Sequence, residues 1–312
     1  MSAAVRRQPL IERLWIYQAE RFPVFKHGIA IAAFALAGAA LPSLLGGAAF
    51  DPWTGVVATA VTFLFFLQLR IADEHKDFAD DSRYRPERAV PRGLVTLGEL
   101  RVVGFAAAPV QAALAWSIDP LLLLPLALVW AWMALMSAEF FAPEALKARP
   151  VLYLVSHMAV TPLIAAFAVA CGWLAADPAP QPSFAYAAFL ALAFANGLVI
   201  EISRKSWALA DERPGVESYS KLWGSLGAGA VAAAAMLLSA GLSLSVLAGA
   251  GAHVGFTVAA VLCAAIGIIG AAHFAVAPTS AHAKRFGSTA AFWVLASYLL
   301  LGLGPLVVGG AS

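Results

Sequence analysis

In a chain of 312 residues, 62% are hydrophobic and only 12% charged, too little charge to clothe a water-soluble globule, where about a quarter of residues are charged. The formal charge of +2 says little in itself, and no nucleic-acid partner is expected. Cys171 and Cys263 each lie inside an apolar run and read as small buried hydrophobes rather than a disulfide or redox pair.

Apolar runs of about 20 residues, each long enough to cross the hydrocarbon layer as a helix, follow one another along the chain. Because backbone groups in lipid must pair internally, the expected class is all-α, a polytopic membrane helix bundle. Before the first run the segment to Lys26 is polar and aromatic, with no apolar core and cleavage site of a removable signal peptide. Nine transmembrane helices are then expected. The first four run near Val24 to Leu45, Trp53 to Leu69, Leu97 to Ile118 and Leu121 to Ala138. The others run near Val151 to Ala175, Phe184 to Ile202, Leu222 to Leu242, Ala252 to Ala277 and Thr289 to Val308. The Gly/Ala/Ser-rich stretch around Ala240 to Gly251 leaves the turn between the seventh and eighth open.

Assigning alternate connections to opposite sides puts all 20 Lys and Arg on one side, while the other shows only Asp51, Asp119 and Asp177. By the positive-inside rule the basic side is cytoplasmic. The chain reads as one domain over 1–312. The second and sixth spans each run into a charged loop on that side, four spans apart, which fits a parallel four-helix repeat of spans 1–4 and 5–8. The two charged loops would then face each other.

The loop after the second span holds Asp73-Glu74-His75-Lys76-Asp77 and then Asp80-Asp81. If the helix continues past Leu69, Asp73, Asp77 and Asp81 share one face at i, i+4 and i+8, with Glu74 at its edge. Like charges so placed repel unless a divalent cation neutralises them, and hard oxygen ligands suit Mg²⁺. The bland alternative is a solvated loop whose acids pair with Lys76, Arg83 and Arg85. Two prolines and a glycine in Arg85-Pro-Glu-Arg88-Ala-Val-Pro91-Arg92-Gly93 then fix a turn that brings Arg88 and Arg92 near the acids, as a diphosphate site needs.

This stretch resembles the first signature of the UbiA family of intramembrane prenyltransferases, Asn-Asp-x-x-Asp-x-x-x-Asp followed by Arg-Pro-x-Pro-x-Gly. Asp73 stands for the Asn, Glu74 for the next Asp and Ala89 for the first Pro. The resemblance implies a UbiA-like bundle, catalytic Asp73, Asp77 and Asp81, and a Mg²⁺ cofactor. It further implies a prenyl diphosphate and a hydrophobic or aromatic acceptor as substrates. The expected setting is a bacterial inner (plasma) membrane, with the site facing the cytoplasm.

The second signature is altered. Anchoring on Gly215 puts Asp211 on the later Asp of Asp-x-x-x-Asp but Trp207 on the earlier one. Either Glu201 joins Asp211 or Glu212 as a second metal site, or Arg204 and Lys205 contact the diphosphate directly. An ion pair of Glu201 with Lys205 at i, i+4 is the plain alternative. The full ligand set implied is Asp73, Glu74, Asp77, Asp81, Glu201 and Asp211. The phosphate contacts are Arg88, Arg92, Lys147, Arg204 and Lys205. Lys147 lies in an aromatic, proline and basic stretch between spans four and five, where His157 is a weaker candidate for lining the cavity. Asn196, inside span six, is expected to make an interhelical hydrogen bond. A terpene cyclase or diphosphate hydrolase on the same fold is the nearest alternative. A small-molecule transporter is more distant, because the charges crowd the rim rather than mid-bilayer.

Overall fold

The computed structural model describes residues 8–178, 180–213 and 215–302. Within them the chain is helical throughout, with no strand. Eight helical segments are long and apolar enough to cross a membrane. They are α2 (Val24–Gly46), α3 (Pro52–Lys76), α5 (Leu97–Trp116), and Pro120–Ser137, most of which is α6 (Leu123–Ser137). The fifth is Pro150–Ala175, made of α8 (Pro150–Met158) and α9 (Val160–Ala175). Then come α10 (Phe184–Arg204), α11 (Tyr219–Gly249) and α12 (Val254–Val276). The ninth expected span falls in α13 (Ser280–Leu301), whose first turns carry Lys284 and Arg285. Its expected end at Val308 lies outside the described residues. Eight spans rather than nine therefore meet the requirement among the described residues.

The packing follows from small residues and buried aromatics. At the centre α2 lies against α3, α9 and α13. Its approach to α9 depends on Gly172, where a Cβ would strike the carbonyl oxygen of Ala39. A second core joins α10 to α13 around Trp293, Phe274 and Phe286, all fully buried. On the outer flanks Val102, Phe105, Leu124, Leu128, Leu237 and Leu262 are exposed, an apolar wall of the kind a lipid bilayer covers.

Three departures from expectation bear on the site. First, α3 starts under an Asp51 cap with Pro52 at its first position and runs seven residues past Leu69. It bends at Asp77 (φ −87°, ψ 2°) into α4 (Phe78–Tyr84). The i→i−4 bonds from Asp77 to Asp73 (2.9 Å) and from Asp81 to Asp77 (2.8 Å) carry the helical register through the bend. Second, the fifth span is interrupted at Ala159, and the turn after the seventh lies at Ala250–His253, so α11 runs longer than Leu222 to Leu242.

Third, the N-terminal segment is itself a helix, α1 (Leu10–Arg21), with Leu10, Ile11 and Trp15 exposed and Tyr17 buried. It packs over Ile71 and the Ala89–Val95 turn. Arg13 pairs with Glu99 at 2.6 Å, and Glu99 also completes the capping box of α5 with Thr96. Arg92 makes two bonds to Glu20, at 2.7 and 2.8 Å. The Arg92 guanidinium holds the Glu20 carboxyl below the usual carboxylate range.

Candidate active site

The acids at the end of α3 share a backbone register but not a fate. Asp73 is half-exposed and pairs with Arg70 one turn back. Glu74 turns the other way: it is 2% exposed and accepts from Arg21 Nε of α1 at 2.6 Å. Asp81 is 3% exposed and lies under three arginines, Arg88 at 2.6 Å, Arg85 at 3.4 Å and Arg21 at 3.9 Å. Asp77, at the bend, makes no ion pair among the described residues. Partial loss of its water shell, although the residue is exposed, together with the Asp73 and Asp81 carboxylates, pushes its carboxyl upward against the pull of Lys76 and Lys205.

The second charged loop begins where α10 ends. Glu201 accepts from Arg204 at 2.6 Å and pairs with Lys205 at 2.7 Å, so the ion-pair arrangement is the one adopted. The loop is closed by Tyr219 N–H donating to the Lys205 carbonyl (2.8 Å) and by Trp207 N–H donating to Ser220 Oγ (2.7 Å). Gly215 has φ +71°, and a Cβ there would run into the Tyr84 ring. Only glycine permits that contact between the two loops. Arg213 and Glu87 add a 3.8 Å pair across the same junction. Between the loops lies an open cleft of about 420 Å³ lined by Arg85, Glu87, Arg88, Trp207, Asp211 and Arg213.

A further polar cluster sits against Lys76. Its ammonium pairs with Glu139 at 2.6 Å, donates to the Tyr153 phenol oxygen and lies 3.2 Å from His157 Nε2. The His157 ring stacks on Tyr153 at 4.0 Å. Phe140 packs edge-on against both Trp132 and His157. Glu139, Phe140 and Phe141 have φ of +49°, +51° and +56°. A left-handed run of three non-glycine residues costs roughly 1–2 kcal/mol at each and marks a place where geometry is held against local preference. Tyr153 lies within electrostatic reach of Asp73, Asp77, Glu139 and Glu201, so this cluster borders both charged loops.

The structure thus brings Asp77, Lys76, Lys205, Glu201 and Tyr153 to one end of the bundle, with Arg88 and Asp211 on the adjoining cleft. It does not bring Arg92 there, because Arg92 is spent on α1. Lys147 is exposed on α7 (Pro143–Lys147) with no polar partner among the described residues. Nor do the six acids named as metal ligands converge. Among the described residues no three of His, Cys, Asp and Glu gather closely enough to hold a metal ion. Asp73, Glu74, Asp81 and Glu201 already have cations. Asp77 makes no ion pair among the described residues, so its carboxylate is still open to a cation beside the half-exposed Asp73, whereas Glu201 in the second loop is neutralised by Arg204 and Lys205.

Sequence reasoning missed the Arg21–Glu74 pair and the Lys76–Glu139–Tyr153 cluster. Arg21, Glu74 and Lys76 were visible as charges, but nothing in their spacing says which partner a long side chain chooses. Of the cluster, His157 carried a signal as a histidine near the charged end of an apolar run, and Phe140 as part of an aromatic, proline and basic stretch.

The helices, their order and the two facing loops can be set beside known structures. The chain superposes on the apo structure of a UbiA homolog from Aeropyrum pernix K1 with a TM-score of 0.64, covering 91% of this chain and 98% of that one at 18% identity. The fold is the UbiA fold. A structure of a digeranylgeranylglyceryl phosphate synthase in membranes shares it, with a TM-score of 0.61, 15% identity, and coverage of 95% of this chain and 99% of that one. No family model matches the sequence, and no curated protein matches it. The protein is therefore a multi-pass helical membrane protein with the UbiA fold, carrying the acidic first loop and a second loop in which cations neutralise Glu201.

Proposed function

We propose that this chain is an intramembrane prenyltransferase, moving an isoprenoid group from a prenyl diphosphate to a hydrophobic or aromatic acceptor. The observation that carries the reading is Asp77, a carboxylate with no ion pair among the described residues, at the meeting point of two charged loops on a UbiA fold. The charged end is assigned to the cytoplasm, because alternating the connections of the sequence collects its Lys and Arg on that side.

The substrate's two ends match the two environments. Its apolar tail enters the bundle from lipid, and its diphosphate stays at the rim. Arg88 and Lys205, one from each loop, reach the diphosphate; Arg204, 59% exposed, contributes from the edge. Cationic donors fixed before reaction stabilise the charge that builds on the departing group. Asp73 and Asp77 are the residues that would hold a Mg²⁺, which would add charge neutralisation for the departing diphosphate. Trp132 and Phe140 border the site with ring faces that suit an allylic cation, and exclusion of water there protects the cation from hydrolysis.

The test is incubation of purified protein with Mg²⁺ and labelled C10 to C20 prenyl diphosphates, with and without lipid extract. Prenylated acceptor with released diphosphate supports the reading. Cyclised hydrocarbon or free prenol as sole product replaces it with a cyclase or a hydrolase.

A further inference from the structure

The cluster around Lys76 has a proton inventory that can be counted. The Lys76 ammonium has three N–H donors, and three acceptors surround it: Glu139 Oε1, the Tyr153 phenol oxygen and His157 Nε2. An ammonium next to Nε2 requires that nitrogen to present its lone pair. His157 Nδ1 is then the protonated nitrogen, and it donates to the Tyr153 carbonyl at 2.9 Å. So His157 is neutral, with its basic nitrogen turned toward the charged end of the bundle. Glu139 Oε2 is buried, has no hydrogen-bond donor, and lies 3.9 Å from that same nitrogen. The pair has one proton site unfilled. The left-handed turn at Glu139–Phe141 keeps the carboxylate there.

We infer that His157 Nε2 and Glu139 Oε2 together accept the proton that the acceptor loses when it is prenylated. The inference rests on the proposed transferase reading and assigns that reaction a base. In the step, the bond between the prenyl C1 and its diphosphate oxygen breaks, and its electron pair leaves with the diphosphate. The acceptor's electron pair forms the new bond to C1. The acceptor's proton passes to His157 Nε2, and the Glu139 carboxylate, 3.9 Å away, balances the charge of the imidazolium that forms. Lys76 keeps Tyr153 and Glu139 Oε1 as partners when it yields the imidazole. The other charged groups around the site are Asp73 on α3 and, next to Tyr153, Asp77 and Glu201.

The discriminating measurement is the ratio of prenylated product to diphosphate released, using labelled geranylgeranyl diphosphate and a membrane lipid extract as the acceptor source. In His157→Gln, diphosphate release should persist, which also shows the variant is folded, while product falls about 100-fold and prenol accumulates. Glu139→Gln should move the ratio the same way. Added imidazole should restore product to His157→Ala. A wild-type ratio in both Gln variants overturns the proposal. So does joint loss of release and transfer in His157→Gln with no imidazole rescue in His157→Ala, which makes the histidine structural. Absence of diphosphate release by the wild-type protein would overturn the transferase reading and the proposal with it.

Discussion

Arg21 of α1 donates to Glu74 at the end of α3 across 2.6 Å, with side-chain exposures of 13% and 1%. One carboxylate of the acidic motif is thereby turned away from Asp77 and into a latch for the N-terminal helix. A buried pair is costly to break from one side, because the remaining charge stays desolvated. Arg21→Ala should therefore cost about 3–5 kcal/mol, read as a lower unfolding midpoint in detergent. Replacing both residues, Arg21→Met with Glu74→Leu, should recover most of that loss. An undiminished midpoint in Arg21→Ala would contradict the latch.

The same helix carries a pH-sensitive tie. Arg92 holds the Glu20 carboxyl below its ordinary value, so the bound state favours the ionised form. The stabilisation is present above the unfolded carboxylate value and is lost as pH falls through the folded one. Both partners are over one-third exposed, so the effect is small. Proteolysis of α1 should quicken below about pH 4, and Glu20→Gln should abolish that acid dependence.

Asp77 has the opposite sign. Its folded carboxyl titrates above an ordinary aspartate, so the proton is favoured by the fold. That contribution is present at low pH and lost as pH rises through the folded value, leaving a cost at neutrality. In metal-free protein Asp77→Asn should raise the unfolding midpoint, while diphosphate release in the presence of Mg²⁺ falls about 100-fold. A gain in stability with a loss of activity separates a functional charge from a structural one.

Much of the bundle was legible because period, length and charge sidedness are local properties. The span at Val24 and the one at Phe184 begin where the apolar runs begin, and Asn196 does bridge helices, donating to Ser297 and accepting from Ser239. The facing of the two loops is visible as the Tyr84–Gly215 contact. What the sequence hid was partner choice. Asp81 and Asp77 look equivalent at i, i+4 spacing, yet among the described residues three arginines fold over one and none over the other. That difference comes from the bend at Asp77 and from α1, whose short amphipathic pattern is hidden among polar and aromatic residues.

In the second loop, Lys205 and Arg204 share Glu201, but only Lys205 also acts on Asp77. Lys205→Ala should raise the KM for prenyl diphosphate about 10-fold, roughly the worth of one charged contact. Arg204→Ala should change it little, since Lys205 still neutralises Glu201. Equal effects of the two substitutions on steady-state kinetics would refute this division.

The account rests on ionisation of a prenyl diphosphate beside Asp77, and release of labelled diphosphate by the purified wild-type and Asp77→Ala proteins tests it most directly. Release that requires Mg²⁺, stops with chelator and falls at least about 100-fold in folded Asp77→Ala is the expected result. Release unchanged in that variant, or none from the wild type with any C10 to C20 substrate, would contradict it.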